Sequence, residues 1–237
     1  MLYNLQFSQV LFLDIETVPA VPTYQNLNER MQKLWDKKAA KIIKDESDTP
    51  ESIYDRAGIY SEFGKIIVIS VGFLNGHEFR VKSFYGDDEK LLLEEFAELL
   101  NRYYNYPDSM LCAHNGKEFD FPYIARRMLI NGIDLPLILQ IAGKKPWEIR
   151  HLDTMELWKF GDFKNYTSLD LLTAVFEIPT PKDDIDGSMV GKVYWQDKDL
   201  ERIREYCQKD VLAIAQLMRR YLNLPLIKEE NIIYSDN

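Results

Sequence analysis

Short apolar runs alternate with amphipathic stretches along this chain. VLFLDIE (10–16) is compact and rich in β formers, and reads as a buried strand. KIIVISVGFL (65–74) predicts a second strand. EFRVKSFY (78–85) alternates enough to be a third, joined to the second through Asn75-Gly76, a hairpin signal. DDEKLLLEEFAELLNRYY (87–104) places acids in its first turn and apolar residues at helical spacing. SMLCAH (109–114) reads as a short fourth strand, and FPYIARRMLI leads a helix toward Asn131-Gly132. IRHLDTMELW (149–158) predicts a strand running into a helix capped by Asp153. SLDLLTAVF predicts another helix, a loop follows over 179–192, and DLERIREYCQKDVLAIAQLMRRYL (199–222) is strongly helical. A strand meander followed by strands alternating with helices predicts an α/β protein with one mixed sheet and helices on its faces. No shift of composition marks a domain boundary. The expectation is one domain over 1–237, with an insertion over about 19–63 and a tail over 226–237.

Within the insertion, 25–46 is helical by pattern, with Leu27, Met31, Leu34, Trp35 and Ile42 on one side. Arg30, Lys33, Lys37, Lys41 and Lys44 form another row at spacings of three or four. That row reads either as a solvated face or as a strip that attracts phosphate.

Composition narrows the class. The chain has 237 residues, 46% hydrophobic and 28% charged, which suits a globular protein with a real core. No uncharged apolar run approaches the roughly 18 residues of a membrane span. The N-terminus lacks the basic region of a signal peptide, and Cys112 and Cys207 form no metal-ligand spacing, so a soluble cytoplasmic protein with reduced thiols is expected. The formal charge of −9 opposes nonspecific binding to phosphate backbones, but it does not exclude a nuclease. A carboxylate cluster whose charge is offset by bound cations is what such chemistry requires.

Three sets of residues carry candidate chemistry. Asp14 and Glu16 are one residue apart on a strand, so both point to one face, where acids are costly unless paired or bound to a cation. The structural alternative is a capped or salt-bridged strand end. HNGKEFDFP (114–122) follows a short strand and holds Asn115, Phe119 and Asp120, with Asp120 at a helix start where it could equally serve as a cap. Tyr206 and Asp210 lie four apart on the long helix and share a face, as a surface tyrosine and a solvated acid also would. With three histidines in the chain, a histidine-based metal site is not expected.

The order of these sets is informative. D-x-E on the first strand, N-x3-F-D in mid-chain and Y-x3-D on a late helix resembles the motif series of the 3′–5′ exonucleases with four acidic residues, in the branch with tyrosine in the third motif. RAGIYSEFGKIIVISVGF, HNGKEFDFPYIARR and KDDIDGSMV also resemble a bacterial group of stand-alone predicted exonucleases related to the proofreading domain of family-B DNA polymerases. The likeness covers roughly 10–222.

The resemblance implies a ribonuclease-H-like fold, a mixed central sheet flanked by helices, with the acids converging at one edge. It implies two bound Mg²⁺ or Mn²⁺ ions, with Asp14 shared, Glu16 and Asp210 completing one site and Asp120 supporting the other through water. Tyr206 would orient the attacking water. Thr17, Asn115 and Phe119 would hold the terminal nucleotide. The implied substrate is the 3′ end of single-stranded or frayed DNA. An exoribonuclease and a non-catalytic binder of nucleic-acid ends are the competing readings. No polymerase activity is expected, since family-B polymerases need a far longer chain. The 179–192 loop, with Gly187 and Gly191, is long enough to favour a function over a mere connector, and is expected as a lid or substrate clamp.

Overall fold

Alternating side chains make the first strand the hinge of the architecture. β1 (Val10–Pro19) sends Leu11, Leu13 and Ile15 into one core, and Val10 and Phe12 into another on the opposite face. Asp14 and Glu16 continue the second face, where the alternation would otherwise place apolar residues. This computed structural model describes residues 5–162, 164–179 and 185–235.

β1 pairs antiparallel with β2 (Gly64–Asn75), and β2 with β3 (Glu78–Tyr85) through the turn at Gly76, whose φ of +63° suits glycine. On its other side β1 pairs in parallel with β4 (Met110–Ala113), which pairs in parallel with β5 (Leu152–Asp153). β6 (Ile232–Ser235) adds in parallel to β3, giving the order β5-β4-β1-β2-β3-β6. The stretch expected as a tail thus supplies an edge strand. The mixed six-stranded sheet with flanking helices is the α/β architecture expected of a ribonuclease-H-like exonuclease.

Helices cover both faces. α1 (Glu29–Ile42) lies in the insertion, where Asn28 caps it through the Met31 N–H. α2 (Glu89–Tyr103) and α3 (Asp120–Ile130) pack with Leu92, Phe96, Phe121 and Ile124 against the odd-numbered side of β1. α4 (Thr154–Lys159) and α5 (Leu169–Val175) follow β5. The short α6 (Val190–Lys192) leads into a π-helical turn over Val193–Asp197. α7 (Leu200–Tyr221) lays Val211, Ile214 and Met218 on the even-numbered side of β1, over Val10 and Phe12.

The insertion carries a small core of its own around Trp35, Ala39, Tyr54 and Phe63. It is tied down by α3, where the Tyr123 hydroxyl donates to the Gly58 carbonyl at 2.7 Å and Arg127 donates to the Ser61 carbonyl at 2.8 Å. A Cβ on Gly58 would meet the Val18 backbone at 3.0 Å, so glycine lets the insertion close onto β1. Among the described residues no helix is long and apolar enough to cross a membrane.

Candidate active site

β1 extends past the short β4, so the chain leaving β4 at Ala113 must cross beside the half of β1 that β4 leaves unpaired. The loop 114–119 makes that crossing and delivers Asp120, first residue of α3, to the Ile15 N–H, which donates to its carboxylate. α7 crosses the same region from the other direction and brings Tyr206, Cys207 and Asp210 to Asp14 and Glu16. Segments far apart in sequence therefore meet beyond the end of a parallel strand, a usual place for ligands in α/β folds.

The four acids repel one another in every pairing. Burial, then Asp210, Glu16 and Asp120, raise the Asp14 carboxyl well above its ordinary range. Burial, then Asp210 and Asp120, do the same to Glu16. Asp120, only 3% exposed, is pushed up to about 7, chiefly by burial and then by Asp153, with the Ile15 N–H opposing. Among the described residues no lysine or arginine offsets these three. Buried Glu89 shows the contrast, since Arg127 grips it through Nε at 2.8 Å and the Ile66 N–H donates to it at 2.7 Å. The salt-bridged strand end considered for Asp14 and Glu16 is therefore not what the fold builds.

Tyr206 is half-buried and donates its hydroxyl to Asp210. Burial first, then Asp210, Glu16 and Asp14, hold the phenol far above its usual value. Cys207 is fully buried, and its Sγ lies 3.4 Å from Asp14 Oδ2, with one ligand atom each of Asp14, Glu16 and Cys207 falling within 4.8 Å of one another. Burial and then Asp14 and Glu16 push that thiol up, so it acts as a donor to Asp14 and leaves an all-oxygen donor set. Both nitrogens of His114 are engaged, by Thr154 Oγ1 at 2.8 Å and the Thr167 carbonyl at 2.9 Å.

A cleft of about 640 Å³ opens beside Glu16. Thr17 and Phe119, both expected to hold a terminal nucleotide, line it; Asn115 lines a neighbouring depression with Lys117 and Lys159. Pro19 at the end of β1, residues of the insertion (Pro22, Arg56, Ile59) and of the α6 region (Gly187, Gly191, Lys192, Trp195) complete the cleft, and the α6 region touches β1 where Trp195 Nε1 donates to the Pro19 carbonyl at 3.1 Å. The part of the 179–192 loop over 180–184, including Asp184, lies outside the described residues.

Residues 59–227, more than two thirds of the chain, match a family described as predicted 3′–5′ exonucleases related to the exonuclease domain of PolB. The chain belongs to that family. Nucleic acid is accordingly the class of substrate, and nuclease action the class of activity. In this exonuclease-family chain the matched stretch holds Asn115, Phe119, Asp120, Tyr206 and Asp210 but starts after Asp14 and Glu16. The fold brings the two acids of β1 against those within the match.

Sequence reasoning missed the groups that hold this arrangement. Ser70 stands opposite Asp14 in the β1–β2 register, pairs with Ser83 at 2.8 Å, and Ser83 accepts from Gln208 of α7 at 2.9 Å, which locks α7 on the sheet. Asp153 was legible only as a helix cap. It accepts from Met155 N (3.0 Å) and Glu156 N (3.1 Å) of α4, and also from Asn115 N and Lys117 N at 3.0 Å. Asn115 sits at φ +65°, a conformation asparagine tolerates, so the crossing loop is pinned at its sharpest bend. Asp153→Ala removes a cap and two loop anchors together. It is expected to lower unfolding free energy by about 2–4 kcal/mol, read as a lower denaturant midpoint.

Proposed function

We propose that this chain is a divalent-cation-dependent 3′–5′ exonuclease that removes nucleoside 5′-monophosphates from the 3′ end of single-stranded or frayed DNA in the cytoplasm. The observation that carries this reading is the meeting of Asp14, Glu16, Asp120 and Asp210 at one place, where among the described residues no lysine or arginine offsets Asp14, Glu16 or Asp120. Buried carboxylates that only repel one another oppose the fold unless a cation joins them. The donors are hard oxygens, which suits Mg²⁺ or Mn²⁺ over zinc, and four carboxylates suffice for two ions. Asp14, Glu16, Asp120 and Asp210 would hold them. When bound, such ions supply Lewis acidity that activates water and offsets the charge developing on the phosphoryl oxygens.

The chain's own residues do the positioning. Tyr206, whose phenol keeps its proton at any working pH, orients the attacking water through its hydroxyl while leaning on Asp210. It is no base. Thr17 and Phe119 hold the terminal nucleoside in the cleft beside Glu16, Phe119 by packing its half-buried ring on sugar or base. Asp153 keeps the loop carrying Asn115 in place so that Asp120 stays beside Ile15. One domain over 1–237 would house all of this, with the insertion supplying part of the cleft.

The test is degradation of matched oligonucleotides labelled at the 5′ or the 3′ end, with Mg²⁺ or Mn²⁺. A 3′ label should appear at once as a mononucleotide, while a 5′ label should pass through a ladder of shortened strands. Immediate release of a 5′ mononucleotide would reverse the polarity, and preferential loss of a matched RNA would overturn the sugar assignment. Binding without turnover in either metal would favour the end-binding reading.

A further inference from the structure

The basic row expected to attract phosphate, Arg30, Lys33, Lys37, Lys41 and Lys44, stands exposed on and just beyond α1, and none of the five lines the cleft. Two other cations do. Arg56 projects from the turn that anchors the insertion, and Lys192 ends α6, far away in sequence. Both side chains are exposed, and among the described residues neither has an ion-pair partner. They share the cleft with Glu16 and Asp55 and with the apolar surfaces of Pro19, Pro22, Ile59, Phe119 and Trp195.

We propose that Arg56 and Lys192 together hold a phosphate of the substrate strand adjacent to the one being cut, so that the cleft grips the last two nucleotides of a single strand. This rests on the exonuclease reading for what enters the cleft. The scissile phosphate belongs beside the four carboxylates, where only cations could hold it. The terminal nucleotide brings only that scissile phosphate, which the cations at the carboxylates would hold. A second phosphate gives Arg56 and Lys192 a ligand, the guanidinium as a planar fork on two oxygens and the ammonium as a point charge.

Charge complementarity supports this occupant. A chain of net charge −9 gains nothing from its overall field when it meets a polyanion, so backbone affinity must come from local cations facing the strand. The apolar surfaces between them suit the flat faces of bases and sugars. Size supports it too. Trp195 and Pro19, joined by a hydrogen bond from Nε1 to the carbonyl, both line the cleft, whose volume of about 640 Å³ is in the range of small-ligand sites.

The test separates the clamp from the chemistry. Binding of a 5′-labelled single-stranded oligonucleotide is followed by anisotropy over a salt series, with Asp210→Asn as the common background. Arg56→Gln and Lys192→Gln should each raise Kd about tenfold and reduce the slope of log Kd against log salt by about 0.7, the value of one single-strand phosphate contact. In the otherwise native chain, turnover is compared between the oligonucleotide and the p-nitrophenyl ester of thymidine 5′-monophosphate, which has one phosphate only. The oligonucleotide-to-ester ratio of kcat/KM should fall about tenfold in each variant, through KM. A merely structural role would slow both substrates together. An unchanged salt slope or an unchanged ratio overturns the clamp, whatever the activity. A preference for 3′-phosphorylated ends that both variants lose would overturn the assignment to the adjacent phosphate. If the salt slope falls as expected but no strand is shortened in any metal, the clamp stands and the exonuclease reading fails.

Discussion

Asp210→Asn and Asp14→Asn should each reduce exonuclease turnover by about a thousandfold or more while the fold survives. The magnitude follows from removing one formal charge from a set whose task is to neutralise charge developing in the transition state. Survival of the fold follows from the same electrostatics. In the cation-free protein every pairing among the four carboxylates is repulsive, so an amide at either position removes a penalty and keeps the shape. Melting in EDTA should therefore be unchanged or higher in both variants. Tyr206→Phe gives the contrast. It keeps the ring and the helix and deletes the hydroxyl that donates to Asp210 and would position the water, a loss worth about 1–3 kcal/mol or roughly ten- to a hundredfold in rate. Wild-type activity in Asp14→Asn would remove that residue from the site. Equal inactivity of Tyr206→Phe and Asp210→Asn would make the phenol part of the chemistry itself.

The second large effect is on stability in the absence of divalent cations. Asp14, Glu16 and Asp120 all have carboxyls held above their ordinary values, Asp120 at about 7. Through the window from the ordinary carboxylate range near 4 up to about 7, these three carboxyls bind more protons in the folded protein than in the unfolded chain, while His114 and His151, whose pKa values burial lowers, bind fewer. Three raised carboxyls outweigh two lowered histidines, so net stability should fall as pH rises across that window. In EDTA the protein should melt several degrees lower at pH 8 than at pH 5, opposite to the behaviour of a fold whose carboxylates are salt-bridged. Mg²⁺ or Mn²⁺ should restore the loss at pH 8, because a ligand that binds only the folded state stabilises it by mass action. Asp120→Asn should flatten the pH dependence in EDTA. Thermal melts over that range, with and without metal, read both effects, and stability that rises with pH would contradict the electrostatics assigned to the cluster.

How much of this was legible depended on whether a signal was local. The strands at 10, 65 and 78 were readable because apolar residues and β formers crowd into short runs, and the hairpin because Asn75-Gly76 fits only tight turns. α7 was readable from one long amphipathic stripe, with Asp199 as its cap. The insertion helix was expected over 25–46 and forms over Glu29–Ile42, since Asn28 caps its start and Ile43 is already extended. β6 was missed because IIYS is short, mostly exposed and paired on one side only. The π-helical turn after α6 has no sequence signature of its own. Within the site, Asp14 and Glu16 announce themselves because acids inside an apolar strand are expensive. Ser70 does not, because only the β1–β2 register reveals that it faces Asp14. Arg56 and Lys192 sit in irregular segments, where neither period nor cap indicates direction.

β1 lies between β4 and β2 with helices against both of its faces, so its amides should be among the last to exchange with solvent. Two acids of the cluster thus stand on the least mobile backbone of the molecule. Arg56, Ile59, Lys192 and Trp195 of the cleft wall instead hang from the insertion and from the α6 region, which carry no strand of the sheet. Chemistry and this part of recognition are thereby separated mechanically. Changes in length or residue type in the insertion or the α6 region can retune which ends are accepted without disturbing the spacing of the carboxylates, which makes this scaffold easy to diversify and its reaction hard to change.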